Sequence, residues 1–223
     1  MTLKLYANLI SQPSRAVAWT LRNKKVAHEL VQADFGGPVF SDPTFLKINP
    51  NGLIPVINDD GFTLFEGAAI LIYLAEKHSW TDLYPQAPTV RAKINEYLHW
   101  HHTNARWATP RVLVPHFHTK TGAATEDDTK YVAQTDEIVN KIVGLLEQFF
   151  VKPYIAETDS PTLADYFAYP EYVQLEWLGL IDSKKYPKTA AWLARMKELP
   201  NHDEVHVPLR EFMSATGVLA ASP

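Results

Sequence analysis

The spacing of hydrophobic and polar residues changes once along the chain, near residue 80. Before that point, short apolar runs of strand length alternate with helical periods, and Pro13 and the Asp60-Gly61 pair supply helix-start and hairpin signals. The pattern predicts, in chain order, a strand over residues 3–6, a helix over 12–25, a strand over 28–32, a hairpin over 54–57 and 62–64, and a helix over 66–78. A small α/β unit is therefore expected first.

Beyond residue 80 the apolar residues recur at helical spacing, and no strand pattern appears. The expected helices cover residues 94–108, 132–150, 162–178 and 187–199, and Pro170 is expected to kink the third of them. A proline-rich stretch around Pro85 and Pro88 separates the two patterns. We therefore predict an α/β plus all-α protein with a first domain at 1–80, a linker at 81–87 and an all-helical domain at 88–223.

Composition narrows the classes of function. The 223 residues include 46% hydrophobic and 21% charged residues, which is ordinary for a globular protein. The absence of cysteine excludes disulfides, thiolate metal sites and a thioredoxin-type dithiol oxidoreductase. A formal net charge of −4 without a basic cluster argues against nucleic-acid binding. No signal-peptide or membrane-helix pattern is found, so a cytoplasmic protein is expected.

Five segments together carry a resemblance to a known family. They are LYANLISQPSRAV (5–17), NPNGLIPV (49–56), EGAAI (66–70), RAKINEYL (91–98) and TLAD (162–165). In this order and spacing the chain resembles the glutathione S-transferase superfamily, in its theta-like, serine-type class. The resemblance implies a thioredoxin-like first domain, a C-terminal helical bundle, glutathione as co-substrate and a homodimer. It also implies conjugation of glutathione to hydrophobic electrophiles, or reduction of a peroxide.

Ser11 is the catalytic residue that this resemblance implies. A free thiol titrates near pKa ~8.5, and a hydroxyl that donates a hydrogen bond to its sulfur selectively stabilises the thiolate. Ser11 directly precedes Gln12-Pro13 at the expected start of the first helix, whose positive end would add to this effect. A plain N-cap serine is the structural alternative. Ser14 and Tyr6 remain alternative hydroxyl donors.

The resemblance also assigns the glutathione-binding residues. A cis Ile54-Pro55 bond would present the backbone of Ile54 to the cysteinyl main chain of the tripeptide. Glu66 and Gly67 would bind the γ-glutamyl end, because N–H groups at a helix start and a nearby carboxylate suit an α-carboxylate and an α-amino group.

Two positions depart from the family pattern. Gly67 stands where the family usually has serine or threonine, so a hydroxyl to the γ-glutamyl carboxylate is missing. Phe40 stands near the histidine or lysine that contacts the glycyl carboxylate, with Ser41 or Lys47 as candidate replacements. A weakened site, or one shaped for another thiol or a glutathione conjugate, is expected.

Arg106, Trp107 and Arg111 are expected to line the electrophile pocket, with His116 and Phe117 as further candidates, against the alternatives of an ion pair or an aromatic core. Glu96 and His99 have the Glu-x-x-His spacing of di-metal bundles, but the motif occurs once, so no metal is expected. The Thr-x-x-Asp sequence that ends at Asp165 predicts a buried capping box with a structural role.

Two functions compete on these observations. The first is a glutathione transferase that acts on small hydrophobic electrophiles without nucleic-acid or membrane partners. The second is a non-catalytic, transferase-like module that binds apolar ligands or proteins. Ser11, Pro55 and Glu66 favour the enzyme, whereas Phe40 and Gly67 favour the binding module.

Overall fold

The computed structural model describes residues 3–219, and the outermost parts of the predicted domains, residues 1–2 and 220–223, lie outside them. The first domain contains four strands and three α-helices. They are β1 (Leu3–Ala7), α1 (Gln12–Asn23), β2 (His28–Gln32), α2 (Pro43–Ile48), β3 (Val56–Asp59), β4 (Phe62–Phe65) and α3 (Gly67–Lys77). A 3-10 turn at Pro38–Ser41 precedes α2. Neither this turn nor α2 is predicted from the sequence.

The four strands form one mixed sheet in the order β2-β1-β3-β4. β1 pairs in parallel with β2 across the α1 crossover, and antiparallel with β3, so that Leu5 lies between Leu30 and Ile57. β3 and β4 form the expected hairpin. Leu5 and Ile57 are fully buried and pack against α1 and α3. This arrangement is the thioredoxin-like order expected from the sequence.

The second part of the chain is helical. Its α-helices are α4 (Pro88–Thr103), α5 (Val114–Thr121), α6 (Glu126–Ala133), α7 (Thr135–Phe149), α8 (Leu163–Trp177), α9 (Pro187–Lys197) and α10 (His202–Ala215). Between α4 and α5 the backbone forms a 3-10 turn at Ala105–Trp107 and a π-helical segment at Thr109–Leu113. Helices α5 and α10 have no counterpart in the sequence prediction. The predicted fold class, α/β followed by all-α, is confirmed.

The two parts pack through α1 and α8. Trp19 of α1 is fully buried, and its ring contacts the rings of Tyr166 and Tyr169 at centroid distances of 4.7 and 5.4 Å. The Trp19 indole N–H also donates to the Pro200 carbonyl at 2.8 Å. Because Ser11 is the N-cap residue of α1, this contact fixes the expected catalytic end of the first domain against the helical part.

Candidate active site

A cavity of about 1280 Å³ opens between the two parts of the chain. Side chains from the first domain form one half of its wall, and the helices of the second domain form the other half. Of the residues predicted to form the site, it brings together Ser11, Ile54, Pro55, Glu66, Gly67 and Arg106. The cavity therefore joins the expected thiol site to an apolar chamber.

Ser11 is the N-cap residue of α1 but does not use its side chain as a cap. Its backbone has φ −76° and ψ 129°, and no capping hydrogen bond is made by its hydroxyl. Its N–H donates to the Asn8 carbonyl at 2.9 Å, and its carbonyl accepts from the Arg15 N–H at 3.0 Å. The hydroxyl therefore stays available at the cavity wall.

The two alternative hydroxyls are placed differently. Ser14 is fully buried within α1 and does not line the cavity. Tyr6 lies on β1 with its ring 5.6 Å from that of Phe45, and it too is absent from the cavity wall within residues 3–219. The geometry favours Ser11 of the three candidates.

Arg15 braces the turn that presents Ser11. Its fully buried guanidinium donates to the carbonyls of Leu9 and Ile10 at 3.1 and 3.0 Å, and to that of Pro170 in α8 at 2.9 Å. Burial lowers the pKa of Arg15 to about 9, and the nearby carboxylate of Glu171 opposes this shift. Arg15 therefore remains protonated at neutral pH and ties the turn to the helical domain.

The Ile54-Pro55 peptide bond is cis, as expected. Pro55 is buried and β3 begins at the next residue, Val56. Within residues 3–219, the N–H and C=O of Ile54 form no hydrogen bond with another part of the chain. They are therefore free to pair with an extended peptide in the cavity, in the manner of an added strand.

Glu66 and Gly67 form the start of α3. Glu66 is exposed and has φ +71°, a conformation that residues with a side chain seldom adopt and that clusters at binding sites. The first N–H groups of α3 have no intrahelical acceptor and can bind an anion. A Cβ on Gly67 would lie 3.0 Å from a ring carbon of Phe167 and 3.2 Å from the Cβ of Pro13. Packing therefore favours glycine at this position.

The end of the cavity beyond Ile54 is apolar. Phe40 lies there with Phe35, whose ring is parallel to it within 12° at a centroid distance of 6.3 Å. Ser41 also lines the cavity, but its hydroxyl donates to the Pro38 carbonyl at 3.1 Å. Lys47 is exposed on α2 and does not line the cavity. Neither candidate replaces the missing cation.

Arg106 faces the first domain as part of a buried polar network. Its guanidinium forms an ion pair with Glu171 at 2.8 Å and donates to Gln12 at 3.4 Å. Thr109 and Gln174 also donate to Glu171, at 2.7 and 3.1 Å. Burial raises the pKa of Glu171, while Arg106 and Thr109 oppose the shift. Arg106 is therefore both a cavity residue and an interface ion pair.

The structure corrects the expectation for Trp107 and Arg111, because neither lines the cavity. The Arg111 guanidinium lies over the Trp107 ring at 3.6 Å and within 5.7 Å of the Tyr131 ring. A cation–π contact therefore pairs the two side chains with each other, and Arg111 also contacts Tyr131 of α6.

The apolar chamber is built from the π-helical segment, α5 and α10, and of the two further candidates Phe117 lines it whereas His116 does not. Phe117 and Phe212 stack with a centroid distance of 5.5 Å and an interplanar angle of 21°. The other apolar residues in this wall are Pro110, Leu113, Val114, Leu209, Met213 and Val218. Glu171, Gln174 and Phe167 were not identified from the sequence either. Glu171 and Gln174 are polar residues inside the apolar pattern of α8, and that interruption was the signal that could have identified them.

No group of three histidine, aspartate or glutamate side chains converges as a metal site among the residues that the structure describes. His101 is buried, and its Nδ1 lies 3.4 Å from the Tyr97 hydroxyl. Over the same range, no helix is both long and apolar enough to cross a membrane.

Comparisons with known proteins agree with this architecture. Family models for the N-terminal and C-terminal domains of glutathione S-transferase match residues 1–76 and 105–200. Glutathione S-transferase T1 of Arabidopsis thaliana is 33% identical over 222 residues, covering 92% of this chain and 88% of that protein. Human glutathione S-transferase theta-1 is 32% identical over 206 residues, covering 91% and 85%. The chain spans 36% of the length of the Arabidopsis thaliana T2 protein, which is also 33% identical.

Solved structures give the same result. Human glutathione S-transferase T1-1 without ligand superposes with a TM-score of 0.85 at 28% identity, covering 99% of this chain and 93% of that one. A Bombyx mori glutathione transferase, BmGSTD1, gives 0.83 at 26% identity, covering 97% and 98%. A thioredoxin-like N-terminal domain followed by a helical C-terminal domain is the architecture that this chain shares with these proteins. The chain belongs to the glutathione S-transferase family.

Proposed function

We propose that the protein conjugates glutathione to hydrophobic electrophiles, with Ser11 as the catalytic residue that stabilises the thiolate. The observation that carries this proposal is the unengaged Ser11 hydroxyl in the same cavity as the free backbone groups of Ile54. A peptide paired with Ile54 would place its cysteinyl sulfur near Ser11. The α3 start, with Glu66 and the N–H groups from Gly67 onward, suits its γ-glutamyl end.

The conjugation reaction then needs only that the thiol is activated and that its sulfur is held close to the electrophile. The thiol loses its proton to water, and the Ser11 hydroxyl donates a hydrogen bond to the resulting thiolate. A hydrogen bond to a charged group contributes about 1.5–3 kcal/mol, which corresponds to roughly one to two units of thiol pKa. The sulfur attacks the electrophilic carbon, the S–C bond forms as the bond to the leaving group breaks, and the leaving group keeps the electron pair.

The second half of the cavity supplies the electrophile site. Phe117 and Phe212 offer nearly parallel aromatic faces, and Arg106, which donates to Gln12 next to Ser11, lines the same cavity. With a hydroperoxide, two glutathione molecules would instead reduce the O–O bond and give glutathione disulfide, an alcohol and water. From the family assignment we also propose a homodimer in the cytoplasm, and sedimentation analysis tests its mass against that of a single chain.

Calorimetric titration with glutathione, followed by turnover of an aryl halide, an aralkyl halide and a hydroperoxide, tests the function. No binding at millimolar glutathione would refute the proposal. The role of Ser11 is tested by titrating the thiolate absorbance of bound glutathione. Ser11→Ala should raise the pKa of the bound thiol by about one to two units. Ser14→Ala, which removes a hydroxyl from the same helix outside the cavity, should leave it unchanged.

A further inference from the structure

The first-domain half of the cavity has two ends of opposite chemistry. At one end, the Glu66 carboxylate and the N-terminus of α3 suit a group that carries both an ammonium and a carboxylate. The other end lies past Ile54, where Gly52 approaches the backbone of Phe40: a Cβ on Gly52 would be 3.5 Å from the Phe40 carbonyl oxygen. A thiol bound as proposed therefore directs its glycyl end towards Phe40.

This second end has no cation to receive a carboxylate. Among the described first-domain residues that line the cavity, the ionisable side chains are Asp34 and Glu66, both acidic. Arg106 and the histidines of the wall belong to the second domain. The Ser41 hydroxyl donates to Pro38, and the Asn51 amide donates to Asn49 at 3.2 Å. A carboxylate here would gain no charged partner from the first-domain wall, and Asp34 of that wall carries the same charge as the carboxylate.

The same end offers exposed apolar surface. Phe35 is 60% exposed and Leu53 is 63% exposed, although both line the cavity. Phe40 lies parallel to Phe35 and meets the buried Phe45 edge-on, with centroids 6.3 Å apart and an interplanar angle of 89°. Phe45 thus anchors the aromatic pair to the domain core. An apolar group on the ligand would remove this surface from water.

We propose that this end of the site selects a thiol co-substrate whose glycyl end is uncharged and apolar, and that Phe40 sets the preference. The inference rests on the proposed function, since it concerns the same thiol at the same Ser11. It changes the substrate class from the free tripeptide to its esterified, amidated or apolar-extended relatives.

The test compares glutathione with its glycine monoethyl ester, which differs only at this carboxylate. With a saturating aryl halide, the kcat/KM for the ester should exceed that for glutathione by about threefold or more. Phe40→Lys should raise the kcat/KM for glutathione about tenfold, because it supplies the missing cation, and should lower that for the ester, because it removes the apolar contact, so that the preference reverses. Phe62→Lys is the matched control, because Phe62 is exposed on β4 and outside the cavity wall.

Each possible result either supports the proposal or overturns it. A preference of the natural chain for glutathione over the ester overturns it. Equal changes in Phe40→Lys and Phe62→Lys also overturn it, because net charge alone would then explain the effect. If neither thiol turns over, calorimetry ranks the two affinities, and tighter binding of the ester sustains the preference. Equal affinities refute the preference alone, whereas no binding of either thiol refutes the proposed function as well.

Discussion

Replacing Asp165 should destabilise the fold without changing the chemistry of the site. Asp165 is fully buried at the start of α8 and does not line the cavity. One carboxylate oxygen accepts from the Ile155 N–H and the Trp192 indole N–H, both at 3.0 Å. The other accepts from the N–H and the hydroxyl of Thr162, at 2.8 and 2.9 Å. This carboxylate joins α8, α9 and the loop before α8.

The magnitude follows from the donors that Asp165→Ala leaves without an acceptor. The Thr162 hydroxyl can rotate, but the other three donors are fixed N–H groups. Each unsatisfied buried donor costs about 1–3 kcal/mol, so the free energy of unfolding should fall by at least ~3 kcal/mol. That is a large part of the ~5–15 kcal/mol that stabilises a typical domain. Asp165→Asn keeps the volume and one acceptor oxygen, so its free energy of unfolding should lie between that of Asp165→Ala and that of the natural chain.

Urea unfolding followed by tryptophan fluorescence measures the effect. The matched control is Asp128→Ala, which removes the same type of capping box, with Thr125, at the start of α6, where Asp128 is 8% exposed and its chain neighbours are exposed. Water can replace the lost acceptor there, so its urea midpoint should fall much less. The reasoning would be refuted if Asp165→Ala kept its midpoint, or lost no more than Asp128→Ala. The kcat/KM per folded molecule should not change.

Two further predictions concern packing and pH. Gly67→Ser should destabilise the fold by about 1–3 kcal/mol through its contact with Phe167, and adding Phe167→Leu should relieve this and tighten glutathione binding in calorimetry. Hydrogen bonds from Thr125 lower the pKa of Asp128 from 3.8 to about 2. Its stabilising effect should therefore be complete above about pH 4 and disappear towards about pH 2. Urea midpoints of Asp128→Asn and the natural chain should converge over that interval, and a constant difference contradicts this.

The sequence predicted most of the fold because its periodic elements have strong local signals. The four strands, α1 and α3 of the first domain, together with α8 and α9, have clear apolar patterns, several of them bounded by proline or by Asp-Gly. The six-residue α2 is too short to show a period. Helices α5 and α10 combine several histidines with an internal or first-turn proline, so their apolar faces are interrupted.

The residues of the site also fall into those that could be predicted from the sequence and those that could not. Ser11, Pro55 and Glu66 lie in contiguous motifs, so their relation to a ligand could be predicted from the resemblance. The placement of Trp107 and Arg111 depends on which face of the helix after α4 turns towards the cavity. A 3-10 turn and then a π-helical segment change the number of residues per turn there. The helical phase of α4 therefore does not extend to these residues.

The two departures from the family pattern have different physical origins. Gly67 is favoured by packing, because a Cβ there would lie 3.0 Å from a ring carbon of Phe167 and 3.2 Å from the Cβ of Pro13, and the first-turn N–H groups remain for an anion. Phe40 has no such explanation. Phe40 is only half-buried, and of the two rings that it contacts, Phe45 is buried without it and Phe35 is mostly exposed, so a polar side chain at position 40 would cost little packing. Since packing does not require a phenylalanine here and Phe40 lines the cavity, contact with the ligand explains this residue better than the fold does. The comparison of glutathione with its ester therefore tests position 40, whereas the Gly67 double variant tests the fold.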